Sequence, residues 1–176
     1  MTALPSGPFD VVYADPPWRI SGEQHDRRRG KSVADHYPVM SWADLMALPV
    51  GDICHDSTLL FGWVVQSEMM RCIDVYWHWG FDYCTIAYVW HKQRHSFGYY
   101  THPSVELCLL FRKPSPILVP RSSRREQQFV SEKRTVHSRK PDCIAESIER
   151  LYPTARRVEL FARQPRDGWA VWGNEL

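Results

Sequence analysis

Short apolar runs, each bounded by glycine, proline or charged residues, recur along this chain and alternate with segments whose apolar residues follow a helical spacing. Runs of this kind, rich in β-branched and aromatic residues, are typical of buried strands. They predict strands at residues 9–14, 57–65, 83–90, 105–111, 128–136, 156–161 and 169–172, and a short edge strand near 117–119. The first run ends abruptly at two consecutive prolines, which cannot continue a β-ladder.

Start and stop signals flank two of the predicted helices. Ser41 can cap the first helix, with Asp44 three positions later, and Pro49 lies just beyond its end. Pro141 opens another helix, at a position where its missing N–H costs no hydrogen bond. The apolar residues of that helix lie on one side, and they are Ile144, Ile148 and Leu151.

A further helix is predicted between these two. Ser67 can cap it, and Gly80 is a suitable terminator. Its residues Met70, Ile73 and Trp77 recur at helical spacing and share one face. An apolar stripe of this kind is expected to face the core of the protein.

Strands thus alternate with helices of about ten residues, which predicts an α/β fold with a mostly parallel sheet and helices on both faces. A chain of 176 residues is the size of one domain, expected to span residues 1–176. Its 44% apolar and 24% charged residues are ordinary for a soluble globular protein.

Several classes of protein are excluded by what the sequence lacks. The cysteine number is odd, five, and none has the Cys-x-x-Cys spacing of a zinc or redox site, so we expect a reduced, cytoplasmic protein. No stretch approaches the roughly 20 apolar residues of a membrane span, and no secretory leader is visible. His91, His95 and His102 have no nearby acidic or cysteine partners in the sequence, so no metal site is expected.

Basic residues gather in three segments with weak hydrophobic periodicity, which are predicted loops. They are Arg27, Arg28, Arg29 and Lys31; then Arg121, Arg124 and Arg125, followed by Lys133 and Arg134; and then Arg139 and Lys140. The net charge is only +2, and solvated loop charge explains any single cluster equally well. Three such loops in one small domain favour contacts with nucleic-acid phosphates. We expect loops 19–36 and 113–140 to close over substrate and cofactor.

The tetrapeptide Asp15-Pro16-Pro17-Trp18 directly follows the most strand-like run in the chain. In open α/β sheets, ligands bind beyond the carboxyl ends of the strands. A carboxylate of Asp15 and a backbone carbonyl of Pro16, whose direction the next proline restricts, form a pair of acceptors suited to holding an aromatic amine. Trp18 offers a flat face on which a base can stack. The alternative is a proline turn that simply ends a strand.

The run from Phe9 to Trp18 resembles the core of the MT-A-seventy family, the adenine methyltransferases of eukaryotic messenger RNA and of bacterial and phage DNA. The similarity covers most of the chain, in the order of the family's motifs. The matching segments are residues 37–41, 60–64, 79–81, 138–141, 159–163 and 172–175. The catalytic motif precedes the cofactor motif, the permuted order called beta-class. The resemblance implies a Rossmann-like methyltransferase fold that uses S-adenosylmethionine to methylate the 6-amino group of adenine.

The resemblance also implies roles for individual residues. Lys140 is expected to meet the methionine carboxylate of the cofactor, and Asp15 its amine. Tyr37 is expected to approach the target base. The residues expected at the cofactor cleft are Glu159, Phe161, Arg163 and Asn174, with the ring of Phe161 lining it and the last two binding ribose hydroxyls. Where the family often carries His and Asn after the late arginine, this chain has Gln164-Pro165-Arg166.

Alternatives remain open at the level of the sequence. DNA is the preferred substrate because the domain is minimal, and RNA is the first alternative. The fold can also serve a non-catalytic partner that binds nucleic acid, although such a partner is free to lose Asp15, Lys140 or Asn174, which are all present. Methylation of the cytosine amine uses the same pair of acceptors. A homodimer is expected if a second subunit helps to grip the duplex.

Overall fold

The computed structural model of the protein describes residues 3–19, 40–95, 100–115, 118–133 and 139–174. Within these ranges seven strands form one sheet: β1 Phe9–Ala14, β2 Cys54–Val64, β3 Asp82–His91, β4 Val105–Arg112, β5 Phe129–Ser131, β6 Arg157–Leu160 and β7 Trp169–Trp172. The α-helices described there are α1 Trp42–Met46, α2 Met69–His78 and α3 Asp142–Leu151. Short 3₁₀ turns, Val50–Ile53 and Gln66–Glu68, precede β2 and α2.

The strand order across the sheet is β5-β3-β4-β2-β1-β6-β7. Strand β4 pairs antiparallel with β2 and β3, whereas the other neighbouring pairs among the described strands are parallel. The predicted mostly parallel sheet is therefore confirmed. Because the remaining strands share one direction, their C-terminal ends meet at one edge of the sheet, which we call the carboxyl edge; the opposite edge is the amino edge. Asp15 follows β1 and lies at the carboxyl edge, in the middle of the strand order.

The helices cover both faces of the sheet, as predicted. Helices α1 and α2 pack on one face, where Leu45, Val75 and Tyr76 join Val12 and other strand residues in one apolar core. Helix α3 packs on the other face, in a second core. The side chains that α3 contributes to this second core are Ile144, Ala145 and Ile148, with Leu151 packed against it. The α/β fold class is thus confirmed.

The predicted helix signals at Ser41, Gly80 and Pro141 are confirmed. The Oγ of Ser41 accepts a hydrogen bond from the backbone N–H of Asp44 at 3.1 Å, which satisfies one of the unpaired donors at the start of α1. Gly80 has a φ of +87°, a left-handed conformation that glycine adopts without strain, and it follows the last turn of α2. Pro141 precedes the first residue of α3.

The predicted apolar face of α2 is wrong at Met70 and Trp77, whereas Ile73 packs against the core. Met70 is 72% exposed and Trp77 is 63% exposed, whereas Tyr76 is fully buried together with Cys72 and Val75. The physical reason lies in β2, because Gly62 has no side chain and a Cβ there would lie 2.5 Å from Cζ of Tyr76. The Tyr76 ring occupies that space, and its hydroxyl donates to the carbonyl of Trp63 at 2.7 Å. Ser67 lies in the 3₁₀ turn before α2 and does not cap it.

Two other predicted strands also differ from the structure. Strand β5 spans three residues, Phe129–Ser131, whereas the predicted strand covered residues 128–136. Residues 134–136 of that prediction lie outside the described residues. Glu132, just beyond β5, is still bonded to β3, because its N–H donates to the carbonyl of His91 at 3.1 Å and its carbonyl accepts from Nε1 of Trp90 at 2.8 Å. Residues 118 and 119 are not in a strand, and 116–117 lie outside the described residues.

Candidate active site

The tetrapeptide forms a closed turn at the carboxyl edge. The N–H of Trp18 donates to the carbonyl of Pro16 at 2.8 Å, which closes a three-residue turn around Pro17. This bond restrains the direction of the Pro16 carbonyl, which the sequence analysis had attributed to Pro17 alone, and the carbonyl already accepts one hydrogen bond. A carbonyl oxygen has two lone pairs, so one remains for a ligand.

Asp15 is paired with a lysine from the start of a helix. Nζ of Lys140 lies 2.8 Å from Oδ2 of Asp15. Lys140 directly precedes Pro141 and α3, which runs antiparallel to β1 and therefore begins at the carboxyl edge. The sequence placed both residues at the cofactor, and the structure brings them into direct contact.

Two further charged residues, which the sequence analysis missed, extend this pair. Nζ of Lys140 also lies 3.3 Å from Oε2 of Glu106, and Nζ of Lys92 lies 3.4 Å from Oε1 of the same carboxylate. Lys140 also lies over the Trp63 ring at 5.1 Å, a cation–π contact. We call Lys92, Glu106, Lys140 and Asp15 the four-charge chain. Glu106 was hidden within an ordinary strand pattern, and Lys92 follows β3 without any motif, so no sequence signal indicated them.

Burial and pairing act against each other on these groups. Burial raises the pKa of Asp15, and the ammonium of Lys140 offsets this only in part. Burial also acts to raise the pKa of Glu106, but the ammonium groups of Lys140 and Lys92 outweigh it, so that pKa is held below its usual range. Burial acts to lower the pKa of Lys140, and the carboxylates of Asp15 and Glu106 more than compensate, so Lys140 stays protonated. A desolvated Asp15 forms stronger hydrogen bonds than a hydrated carboxylate does.

Trp18 packs in the core on the α1–α2 face. It is 7% exposed, its ring stacks on Trp42 at a centroid distance of 5.4 Å, and it meets the edge of Tyr76 at 5.8 Å. The expected open face for a target base is therefore wrong for this structure, because the neighbouring rings cover Trp18. Its indole Nε1 is buried and has no hydrogen-bond partner among the described residues. An unsatisfied buried donor is costly.

The predicted cofactor residues after β6 and β7 lie at the same carboxyl edge. Phe161 follows β6 with a φ of +62°, an uncommon conformation for an aromatic residue and one that often occurs at ligand sites. Its ring packs against Trp172 at 5.3 Å and Trp79 at 6.4 Å. Arg163 is half-buried and close enough to act electrostatically on Asp15. Asn174 is exposed, after the end of β7.

Glu159 is engaged in an ion pair that the sequence did not predict. Oε2 of Glu159 accepts from Nε of Arg166 at 2.8 Å, and Nη2 of Arg166 lies 3.2 Å from Asp142 in the first turn of α3. Arg166 stands in the segment that departs from the family pattern, and it ties β6 to α3. Burial raises the pKa of Glu159, with Arg166 acting in the opposite direction.

The predicted substrate-binding residues fall into two groups. Tyr37, Arg27, Arg28, Arg29 and Lys31 lie outside the described residues. Arg124 and Arg125 are exposed. Their chain neighbours on either side contact Arg150, in the last turn of α3. Ser122 donates to the carbonyl of Arg150, and Glu126 forms an ion pair with its side chain. The length of α3, about 15 Å, separates that turn from Lys140. The structure therefore does not bring Arg124 and Arg125 to Asp15.

The described ranges hold neither a cluster of metal ligands nor a helix that could cross a membrane. In the described part of the chain, no three His, Cys, Asp or Glu side chains cluster in a way that would hold a metal ion. No helix described there has both the length and the apolar character needed to cross a bilayer. All five cysteines are free thiols, and Cys72 and Cys108 are buried.

Comparisons with known proteins match almost the whole chain. It is 35% identical to the Type II methyltransferase M.MunI of Mycoplasma sp, over 98% of this chain and 80% of that protein. It is 32% identical to the N(6)-adenosine-methyltransferase MT-A70-like protein of Drosophila melanogaster, over 100% of this chain but 28% of that protein. It is 25% identical to the human N(6)-adenine-specific methyltransferase METTL4, over 96% of this chain and 37% of that protein. The MT-A70 family model matches residues 9–175, so the chain belongs to the MT-A70 family.

Proposed function

We propose that this protein transfers a methyl group from S-adenosylmethionine to the 6-amino group of adenine in nucleic acid, with DNA as the preferred substrate. The observation that carries the proposal is the contact between Asp15 and Lys140 beside the fixed carbonyl of Pro16. Membership of the MT-A70 family, and relatives named as N(6)-adenine and N(6)-adenosine methyltransferases, support the same reaction.

The mechanism requires two acceptors for one amine. The lone pair of the adenine 6-amino nitrogen is delocalised into the ring, so the amine is a poor nucleophile. When Asp15 and the Pro16 carbonyl accept its two N–H bonds, they favour a tetrahedral nitrogen whose lone pair points at the methyl group. The negative charge of Asp15 would also stabilise the positive charge that develops on the nitrogen as the N–C bond forms and the bond between methyl carbon and sulfur breaks. The thioether would be the leaving group, and the methylated nitrogen would then lose one proton.

The residues at the carboxyl edge fit S-adenosylmethionine, which when bound supplies a methyl group activated by a sulfonium. Its methionine end carries an ammonium and a carboxylate, which match the opposite charges of Asp15 and Lys140, 2.8 Å apart. An ammonium has three donors, and the two described acceptors of Lys140 leave one for the ligand carboxylate. Phe161, Arg163 and Asn174 supply an aromatic face and polar groups for the nucleoside end. Glu159 anchors β6, which leads into Phe161 and Arg163.

The target base must leave its stack to reach Asp15. Asp15 follows a central strand and is partly buried, so a base within a duplex cannot approach it. Base flipping, or a single-stranded substrate, is therefore part of the proposal. The proposed contact with the base is Tyr37. The proposed contacts with the phosphates are the basic residues Arg27, Arg28, Arg29 and Lys31.

The preference for DNA is supported by the higher identity to a Type II methyltransferase, 35%, than to an adenosine methyltransferase, 32%. RNA is the alternative, since adenosine methyltransferases belong among its relatives. A non-catalytic partner is less well supported, because Asp15 and Lys140 are both present and in contact.

The proposal is tested with purified protein, labelled S-adenosylmethionine and three substrates: genomic DNA from an adenine-methylation-deficient bacterium, the same DNA after strand separation, and total RNA. Genomic DNA offers every short recognition sequence at once. Nucleosides are then identified by mass spectrometry. We expect N6-methyladenine in duplex DNA. Methylcytosine alone would reassign the base, methyladenine in RNA alone would reassign the polymer, and no product despite cofactor binding would contradict the proposal.

We also propose that the protein acts as a homodimer in the cytoplasm. The exposed side chains of Met70 and Trp77 on the outer face of α2 support a second copy as the partner, because an apolar surface of this kind is costly in water. Light scattering on the purified protein tests this, with a dimer mass expected. A monomer at all concentrations would contradict it.

A further inference from the structure

Lys92 is a buried lysine that the mechanism described above does not use. It is 7% exposed, and it lies directly after β3, where its backbone N–H donates to the carbonyl of Ser104 at 2.9 Å. Its ammonium lies 3.4 Å from Oε1 of Glu106. Lysine is almost never fully buried unless it is paired, so the position of Lys92 calls for a reason.

The charges of the four-charge chain alternate in sign and sum to zero. Glu106 lies between two cations, with one carboxylate oxygen on Lys92 and the other on Lys140. Lys140 in turn lies between two anions, Glu106 and Asp15. Removing the charge of Lys92 leaves two buried carboxylates with one cation, and Lys140 is then the sole charged partner that both of them share among the described residues.

We propose that Lys92 is a positioning residue for the methyl-transfer site, acting on Asp15 through Glu106 and Lys140. The inference rests on the proposed function for its catalytic meaning. Lys92 holds Glu106 ionised and oriented, Glu106 holds the ammonium of Lys140, and Lys140 holds one oxygen of Asp15 so that the other faces the amine. Lys92 thereby sets the electrostatics of a catalytic carboxylate that it does not touch.

The charged groups around Glu106 are defined in the described residues. They are Lys92 after β3, Lys140 before α3, and Asp15 after β1, with Arg163 after β6 acting on Asp15. The thiol of Cys108, two residues further along β4, is buried and its pKa is raised, so it stays neutral at physiological pH. Loss of Lys92 therefore removes one of the two cations that keep the pKa of Glu106 low.

A purely structural role for Lys92 is the competing explanation, because its backbone also closes the connection between β3 and β4. The two explanations differ in what they predict for Glu106. If the role of Lys92 is purely structural, its loss lowers stability and activity at every pH. If Lys92 acts through its charge, its loss also shifts the titration of Glu106. Lys113 offers a matched control, since it is a partly buried lysine at the amino edge, 3.4 Å from the carbonyl of Gly51 and over the ring of Phe81.

The experiment compares wild type, Lys92→Met, Lys92→Arg and Lys113→Met. Carbon-13 NMR of glutamate side chains, with the Glu106 signal assigned by its loss in Glu106→Gln, gives the titration of Glu106 without any need for catalysis. We expect Lys92→Met to raise the titration midpoint of Glu106 by about 1 pH unit, and Lys92→Arg to restore most of it. Lys113→Met should leave it unchanged. If Lys92→Met does not fold, Lys92→Gln carries the same expectation.

The second readout is the pH dependence of kcat with S-adenosylmethionine and DNA. We expect its acidic limb to move to higher pH in Lys92→Met and to stay in place in Lys92→Arg and Lys113→Met. An unchanged Glu106 titration, or an acidic limb that does not move, would overturn the inference and leave Lys92 with a purely structural role. Absence of methyl transfer in the wild type would count against the proposed function, while the NMR titration would still decide the role of Lys92.

Discussion

Nζ of Lys140 lies 2.8 Å from Oδ2 of Asp15, although 125 positions separate the two residues in the chain. One follows the central strand β1, and the other precedes α3 on one face of the sheet. Their side chains are 13% and 23% exposed, so the pair is largely removed from water. A pair of this kind joins two distant elements at the point where the chemistry is expected.

Lys140→Met should destabilise the protein by about 3 kcal/mol, because it leaves Asp15 and Glu106 buried with one fewer cation. Urea denaturation at neutral pH measures this. The double variant Asp15→Asn with Lys140→Met should recover much of the loss, since neither charge is then left unpaired. A double variant less stable than Lys140→Met alone would contradict the pairing.

Glu106 should give the protein a defined pH dependence of stability. Its pKa is lowered in the folded state from an ordinary value of 4.5, so its contribution is present above that value and is lost as the pH falls through the folded pKa. We expect Glu106→Gln to be less stable than wild type at pH 7, and the difference to vanish at the acidic end. Unfolding curves between pH 7 and the acid limit test this, and a difference that grows on acidification would contradict it.

Trp18→Phe should cost little stability, because among the described residues the indole N–H of Trp18 has no acceptor that the change would leave unpaired. Trp18→Ala should cost about 3–5 kcal/mol, because it opens a cavity against Trp42 and Tyr76. Trp79→Phe is the matched control, since Nε1 of Trp79 donates to the buried carbonyl of Leu45 at 2.7 Å. Thermal unfolding should therefore rank Trp79→Phe below Trp18→Phe, and the reverse order would refute this account of Trp18.

The double variant Arg124→Ala with Arg125→Ala should leave DNA affinity and its salt dependence unchanged, because both arginines lie beside the last turn of α3 and away from Asp15. Each phosphate contact contributes about 0.9 to the slope of log affinity against log salt. Arg139→Ala is the comparison, since Arg139 lies next to Lys140 at the carboxyl edge, and its loss should lower the slope. Titrations at several salt concentrations measure it. A slope that falls in the double variant would return these arginines to the DNA interface.

The sequence predicted the parts of the fold that local chemistry determines. The strand before Asp15, the cap at Ser41 and the stop at Gly80 depend on residues within a few positions, and all three are confirmed. The face of α2 was predicted wrongly at Met70 and Trp77, because Gly62 in a distant strand leaves the space that the helix fills with another residue. Tyr76 fills that space, and no pattern within α2 contains this information.

The site divides in the same way. Asp15 and Lys140 stood out through a motif and its charges, and the structure adds their contact. Lys92 and Glu106 did not stand out in the sequence. Their pairing depends on the antiparallel strands β3 and β4, which bring the end of β3 and the start of β4 together at the carboxyl edge. Arg124 and Arg125 show the opposite error, since clustered charge in the sequence does not determine which edge of the sheet carries it.

The most direct test of the central claim is methyl transfer by Asp15→Asn, measured as N6-methyladenine formed in DNA, beside calorimetric titration with S-adenosylmethionine. Asparagine keeps the shape and one acceptor oxygen but removes the negative charge. The account predicts that kcat falls by about 100-fold or more while the variant still folds and still binds the cofactor, with some loss of affinity. Methyl transfer at the wild-type rate would show that the charge of Asp15 does not drive the reaction, and would contradict the account.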